Sequence, residues 1–467
     1  MSASEGYAKS HGLERLQQML NQEKGLEFRD GIVSSIYSTA EEVAHKTVKK
    51  TSITKYTWDE KLDDLLTSKY LGFPIMFMLL GLVFWLTITG ANYPSQMLAD
   101  AFFSLEEHIT GWFMAANVPV WLHGILVLGV YRTLAWVVSV MLPPMAIFFP
   151  CFTLLEDLGY LPRVAFNLDK FFKKAGAHGK QSLTMSMGFG CNAAGIIACR
   201  IIESPRERLI AMITNNFVPC NGRFPTLIAL GTIFIGGVIA AQYSTLAASA
   251  FVSLLVLIGI GATFVVSWGL SKTVLKGIPS TFTLELPPYR RPQFGKILYR
   301  SIIDRTIFVL GRAIVVAAPA GLVTWLLANI MIGEQSILAL CAGFLQPFAR
   351  MIGLDGFILM AFILGLPANE IVLPILIMSY MAEGAMLELD SIQAMKELFI
   401  ANGWTWLTTL NVMLFALFHY PCGTTLWTIR KESGSLKWTL FSAVLPTLIG
   451  IALLFVITQS VRFLGFA

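Results

Sequence analysis

Charge is what this sequence has least of. Asp, Glu, Lys and Arg make up 13% of its 467 residues, against about 25% in a soluble domain. That shortage excludes an ordinary water-soluble fold. Paired cysteines are missing too. The six, at 151, 191, 199, 220, 341 and 422, form no CxxC and no zinc-finger spacing, which excludes a disulfide framework and a zinc module. There is no P-loop: Gly179-Lys180-Gln181-Ser182 lacks the preceding glycine and the adjacent Ser or Thr of GxxxxGK[ST]. No nucleotide chemistry and no enzyme activity is expected of this chain. No secretory leader is read at the start, since the first 70 residues are polar and long apolar runs begin near Leu71. The net charge of +5, carried by Lys and Arg set mainly beside the apolar runs, serves membrane topology and calls for no nucleic-acid partner.

What is present is apolar length. Hydrophobic residues supply 55% of the chain, and several runs exceed about 18 residues, the length of a spanning helix. The fold class is therefore all-α: a polytopic protein of the lipid bilayer, with about seven or eight crossings plus re-entrant broken helices. Residues 1–70 read as a cytoplasmic N-terminal arm, with Ile32, Ile36, Ala40, Val43 and Val48 at helical spacing within Arg29 to Lys50. Residues 71–270 read as a transmembrane region holding a first gate at 182–226. Residues 271–302 read as a cytoplasmic linker, and 303–467 as a transmembrane region with a second gate at 357–381 and 404–428. A span is expected over Leu71 to Gly90, an outer loop over Ala91 to Val120, an interruption at Pro143-Pro144, and an inner loop from Gly159 to Lys180. Leu227 to Ala240 and Leu246 to Leu270 read as paired spans, Glu285 to Pro292 as a proline-stiffened stretch, and Glu383 to Glu397 as an acidic outer loop.

The gates are where plain spanning helices fail. Leu183 to Ile202 is apolar but basic at both ends (Lys180, then Arg200, Arg206 and Arg208), so it reads as re-entrant. Gly188, Gly190 and Gly195 are expected to loosen its backbone. Pro219, Pro367 and Pro421 each remove an amide donor from an apolar run. Gly188-Phe-Gly-Cys-Asn192 is echoed by Gly365-Leu-Pro-Ala-Asn369, and Val218-Pro-Cys-Asn-Gly222 by Tyr420-Pro-Cys-Gly-Thr424. The same order in both halves, entered from opposite sides, is the pattern of an inverted repeat whose broken elements meet near the midplane. Glu370 is the sharpest candidate, because a carboxylate at the bilayer centre costs about 2.5–3.5 kcal/mol or more; a helix-end glutamate reaching the interface is the structural alternative. Cys191, Asn192, Cys220, Asn369 and Cys422 add thiol and amide donors, a set that suits a borderline-soft divalent metal and suits Mg²⁺ or Ca²⁺ poorly. Close helix packing is the alternative for the glycines and Cys191. Asn215 and His419 are weaker candidates, His419 reading first as a local hydrogen-bonding group. Cys151, Cys199 and Cys341 read as small buried residues.

Several longer stretches resemble a known family. Leu154-Leu-Glu-Asp-Leu-Gly-Tyr-Leu-Pro-Arg-Val-Ala-Phe166, Gly188-Phe-Gly-Cys-Asn192, Glu203-Ser-Pro-Arg-Glu-Arg-Leu209, Glu285-Leu-Pro-Pro-Tyr-Arg290 and Pro421-Cys422 with Lys431-Glu432 and Lys437-Trp438 resemble, in order, the membrane part of the FeoB-type ferrous iron transporters. The resemblance runs from about Tyr56 to the C-terminus. It implies uptake of Fe²⁺ as a transported ion, with no permanently bound cofactor, across the inner or plasma membrane of a prokaryote, and gate segments, including the one with Cys191, that form the path. In the family this region usually follows a GTP-binding domain; the 70-residue arm resembles the tail of that part. A split system is therefore expected, with a separate small GTPase, an SH3-like accessory protein, a cytoplasmic N-terminus and a possible homo-oligomer; a permease that has lost GTP control is the other reading. The usual Gly-Cys-Asn-Val-Pro reads Gly-Cys-Asn-Ala-Ala here, and Asn369 stands where a lysine usually precedes the acid. Two alternatives stay open: a carrier of another divalent metal or a nucleoside-like substrate on the same scaffold, and a membrane scaffold that docks a cytosolic G protein.

Overall fold

Apolar length, more than amphipathic patterning, makes the helices of this protein. A computed structural model describes residues 25–47, 58–68, 70–235, 244–277, 289, 292–381, 384 and 392–465. The chain opens on α1 (Gly25–Thr47) and α2 (Trp58–Leu66), followed by the long α3 (Gly72–Ala115) and α4 (Val120–Asp157). A surface helix, α5 (Tyr160–Lys174), leads into the first broken region: α6 (Gln181–Gly190), α7 (Asn192–Ala198), α8 (Pro205–Thr214) and α9 (Phe224–Leu230). Next come α10 (Ser244–Lys272) and α11 (Phe308–Asn329). The second broken region is α12 (Ile337–Met351), α13 (Gly356–Leu364), α14 (Val372–Met381), α15 (Ile392–Ala401), α16 (Trp406–Phe418) and α17 (Gly423–Ser433), and α18 (Leu436–Phe463) closes the chain. A two-residue-per-strand hairpin pairs Met331 with Ser336 and Ile332 with Gln335, turning at Gly333.

Among the described residues, six helices are long and apolar enough to cross a membrane: α3, α4, α10, α11, the α16–α17 run and α18. The pair α12–α13, bent by 111°, brings the number to seven if it counts as one span. The all-α, multi-pass membrane architecture read from composition therefore holds, with seven at the low edge of the expected range.

Several local readings are corrected. The span expected to end at Gly90 runs on as helix to Ala115, so most of the expected outer loop is helical. At 1.5 Å per residue its 44 residues reach about 66 Å, well beyond a ~30 Å hydrocarbon layer. Pro143-Pro144 does not interrupt α4, which continues through both and through Pro150. Proline's fixed φ is helical, and the lost donors are tolerated where neighbouring elements cover the backbone. Gly159 to Lys180 is mostly helix, because Leu161, Val164, Ala165 and Phe172 bury one side of α5; Gly159 makes the turn into it with φ 81°. The arm's helix lies where expected, at Gly25–Thr47. Residues 236–240 of the expected Leu227 to Ala240 span lie outside the described residues, as do most of Glu285 to Pro292 and of the 383–391 stretch.

Several helix starts carry side-chain caps, whereas the helices that follow Cys191, Ala368 and Cys422 have none. Ser204 caps α8 through the amide of Glu207, with Pro205 in the first turn. Asp355 caps α13, accepting from Ile358 N at 2.7 Å, and Thr405 caps α16. The core lies where the broken elements cross, around Phe148, Phe189, Phe217, Ile371, Met413 and Leu417.

Candidate ion site at the crossing of four breaks

Four interruptions of helix meet at one point. The first is Cys191, extended at φ −155°, ψ 123° between α6 and α7. The second is Val218 to Gly222, the third Gly365 to Ala368, and the fourth His419 to Cys422. Ala368, the counterpart of Cys191 in the sequence echo, has φ −149°, ψ 120°. The two halves thus repeat a backbone turn as well as a motif. Cys220 O accepts from Arg223 N at 2.9 Å, and Cys422 O accepts from Thr425 N at the same distance, which repeats the second turn as well.

The breaks enclose a cavity of about 30 Å³. Its wall carries Cys191, Asn192, Cys220, Asn369, Glu370 and Cys422, all six side chains singled out from sequence, with Met141, Met145 and Thr424 among the others. Of the backbone candidates, Gly190 and Pro367 line it; Gly188, Gly195, Pro219 and Pro421 do not. Asn192 is 2% exposed and both its amide atoms lack a hydrogen-bond partner. Cys422 Sγ lies 3.2 Å from Thr425 Oγ1. His419 is not in the wall: Nε2 stands 3.2 Å from Asn369 Oδ1, and Nδ1 faces the carbonyls of Phe415 and Ala416 at 3.0 Å, so it positions Asn369. Among the described residues no three His, Cys, Asp or Glu side chains converge closely enough to hold a metal ion together.

The glycines do other work than loosening backbone. None of Gly188, Gly190 and Gly195 has positive φ. What they supply is room. A Cβ on Gly188 would lie 2.6 Å, and on Gly195 2.7 Å, from the amide of Asn215. That buried amide donates to Asn192 O at 3.3 Å and so ties the first break to the second. A Cβ on Gly190 would strike the ring of Phe148 at 2.2 Å. Gly222 was missed in the sequence, yet a Cβ there would lie 2.1 Å from Glu370 Oε1, so the acid rests directly on this glycine. The third and fourth breaks are joined by Gly423 N donating to Leu366 O at 2.6 Å and by Tyr420 Oη donating to Phe362 O at 2.7 Å.

Residues 138–234 and 310–436 match the family described as nucleoside recognition, the Gate family. Residues 252–304 match the family described as ferrous iron transport protein B C terminus. The Fe(2+) transporter FeoB of Staphylococcus aureus (strain MSSA476) is 30% identical over 415 residues, 87% of this chain and 59% of that protein. The chain is a FeoB-family membrane region. The Fe(2+) transporter FeoB of Methanocaldococcus jannaschii is 28% identical over 441 residues, covering 92% of this chain and 62% of the relative. The chain therefore spans about three fifths of the length of the curated FeoB proteins it matches.

Some of the FeoB-like stretches have structural roles outside the cavity. Arg163 in Leu154–Phe166 is 2% exposed and donates to both carboxylate oxygens of Asp63 on α2, at 2.9 and 3.2 Å. Its guanidinium also stacks 4.1 Å from the ring centroid of Tyr289, whose hydroxyl donates to Asp63 at 2.7 Å. Burial pushes the Asp63 carboxyl up, but the hydrogen bonds from Arg163 and Tyr289 outweigh it and hold the group below its ordinary 3.8. Burial, with the bond to Asp63, raises the Tyr289 phenol to about 12. Glu203 to Leu209 supplies the cap of α8. Arg200 meets Glu432 on α17 with two hydrogen bonds of 2.8 and 2.7 Å, an exposed clasp between the two broken regions.

Proposed function

We propose that this chain is a ferrous iron permease and that its path runs through the cavity at the four breaks. One observation carries the reading: Cys191, Cys220, Cys422, Glu370, Asn192 and Asn369, drawn from four separate segments, share one small wall. Thiols with a carboxylate and amide oxygens suit Fe²⁺ and its borderline neighbours. The scattered placement of these groups favours passage over storage, since a conducting site must release what it binds. The curated relatives are called Fe(2+) transporters, which supports the same ion here. A nucleoside-like cargo fits poorly, because small-molecule pockets run to about 300–1,000 Å³ and this cavity has about 30 Å³.

Further parts of the reading follow from the resemblance. The protein would sit in the plasma membrane of a prokaryote with α1 and α2 on the cytoplasmic side, facing a separate GTPase and an SH3-like accessory protein. The two gates would act as one inverted repeat, with 271–302 as the linker between the two transmembrane regions. The test is anaerobic flux of Fe²⁺ into liposomes holding the purified chain. Cys191→Ser and Glu370→Gln are each expected to lower the flux at least tenfold, about the worth of one hydrogen bond to a charged group. Flux equal to the unsubstituted protein in both variants removes the cavity from the path. Competition by Mn²⁺ or Zn²⁺ that abolishes Fe²⁺ movement at equal concentration would reassign the cargo.

A further inference from the structure

We propose that Arg223 sets the ion preference of this cavity by keeping backbone oxygens away from the cargo, a proposal that rests on the permease reading. Arg223 is the only Asp, Glu, Lys or Arg between Arg208 and Lys272. It is 1% exposed, and among the described residues no carboxylate lies within ion-pair distance of it. An unpaired charge buried in an apolar protein is held only where its hydrogen bonds are met. Here Nη1 and Nη2 are met by carbonyls, while Nε finds no partner among the described residues. The guanidinium donates to Asn216 O at 3.1 Å, Leu417 O at 2.8 Å, His419 O at 3.1 Å and Tyr420 O at 3.2 Å.

These oxygens are available because the helices break. The helical partner of Leu417 O would be the amide of residue 421, which is a proline and has none. His419 and Tyr420 belong to the break itself. Rings of freed carbonyls are what selectivity filters use for hard cations, and oxygen-only shells suit Mg²⁺ and Ca²⁺. Arg223 is not part of the cavity wall, but Cys220 and Cys422, which are, lie within its electrostatic reach. None of the four carbonyl residues lines the cavity itself, but His419 touches the wall through Asn369 and Tyr420 stands two residues from Cys422. Arg223 engages these oxygens and puts a fixed positive charge among them, so a cation gains little by approaching that side. The donors left facing the cavity are three thiols, one carboxylate and two amides. The same bonds tie the second break to the fourth, making Arg223 a positioning residue that also filters by ligand type.

The experiment uses the full chain in anaerobic liposomes, with Fe²⁺ and Ca²⁺ as separate probes and thermal melting as the control for folding. The unsubstituted protein is expected to pass Fe²⁺ and exclude Ca²⁺. Arg223→Lys keeps the charge, but its compact ammonium has only three donors for four carbonyls. It should lower the Fe²⁺-to-Ca²⁺ flux ratio by about tenfold, the size of one lost hydrogen bond to a charged group. Arg223→Met should lower the ratio further. A folded pair of variants with less flux of both kinds and an unchanged ratio would mean a structural tie only and overturn the proposal. If neither variant folds, free passage of Ca²⁺ through the unsubstituted protein overturns it, and exclusion of Ca²⁺ supports it. Absence of Fe²⁺ flux in the unsubstituted protein sinks the permease reading instead; relative equilibrium binding of Fe²⁺ and Ca²⁺ to the same proteins then decides the role of Arg223.

Discussion

Single atoms decide much at the crossing, and glycine shows it best. Gly222→Ala places a methyl 2.1 Å from Glu370 Oε1, so the acid must move. Overpacking of this kind costs about 1–3 kcal/mol, to be read from thermal unfolding. The Fe²⁺ flux is expected to fall with it, and undiminished flux would show that the resting place of Glu370 is irrelevant. Gly188→Ala should destabilise to a similar extent by displacing Asn215, whereas Gly261→Ala and Gly269→Ala in α10, with open space around the new methyl, should stabilise by roughly 0.5–1 kcal/mol. Equal effects at all of these positions would refute the reading of the glycines as spacers. Residue by residue, the sequence pointed to the wall of the cavity, because there thiols, amides and an acid stand beside glycines and prolines that break apolar runs. It disclosed Gly222, Asn215 and Arg223 less well. Their roles are set by contacts with segments as far as 197 positions away, and no local pattern announces such contacts. The one signal at hand was the solitary charge of Arg223.

Elements carry the next set of consequences. The breaks were legible because Gly, Pro and Cys interrupt otherwise uniform apolar runs. The length of α3 was not, because its acids and Pro94 read as a loop although the helix carries on through that proline to Ala115. The contact of α2 with α5 combines the Asp63–Arg163 pair with Asn167 Nδ2 donating to Leu66 O at 2.8 Å. The Asp63 carboxyl titrates lower folded than free, so its contribution is complete at neutral pH and above, and is lost as pH falls below the ordinary value of 3.8. A spin-label distance between α2 and α5 should therefore hold from pH 7 to 5 and lengthen only in strong acid. Asp63→Asn should show the longer distance throughout. A distance that changes between pH 7 and 5 would point to another group. The Arg200–Glu432 clasp is a different case. The side chain of Arg200 is 66% exposed and that of Glu432 12%, so the bidentate pair, screened on its open side, is worth about 1 kcal/mol. Arg200→Ala should leave the melting temperature almost unchanged, and a large drop would show that the clasp bears structural weight.

For the whole molecule, the plan is two broken regions that interlock, neither complete alone. Composition gave the membrane class directly, and the echo of motifs gave the repeat; the number of crossings stayed loose because a bent pair counts either way. The cavity at the centre has about 30 Å³, room for two or three water molecules at roughly 10–15 Å³ each. A hydrated divalent cation is far larger than that. On the proposed path such an ion would have to shed most of its shell before reaching Cys191 or Glu370, and the cost would be enthalpic. The rate of transfer should therefore rise steeply with temperature, and among ions of equal charge it should follow how readily each exchanges its water. Mg²⁺, which gives up water reluctantly, would be slowed at the threshold even before any ligand is offered.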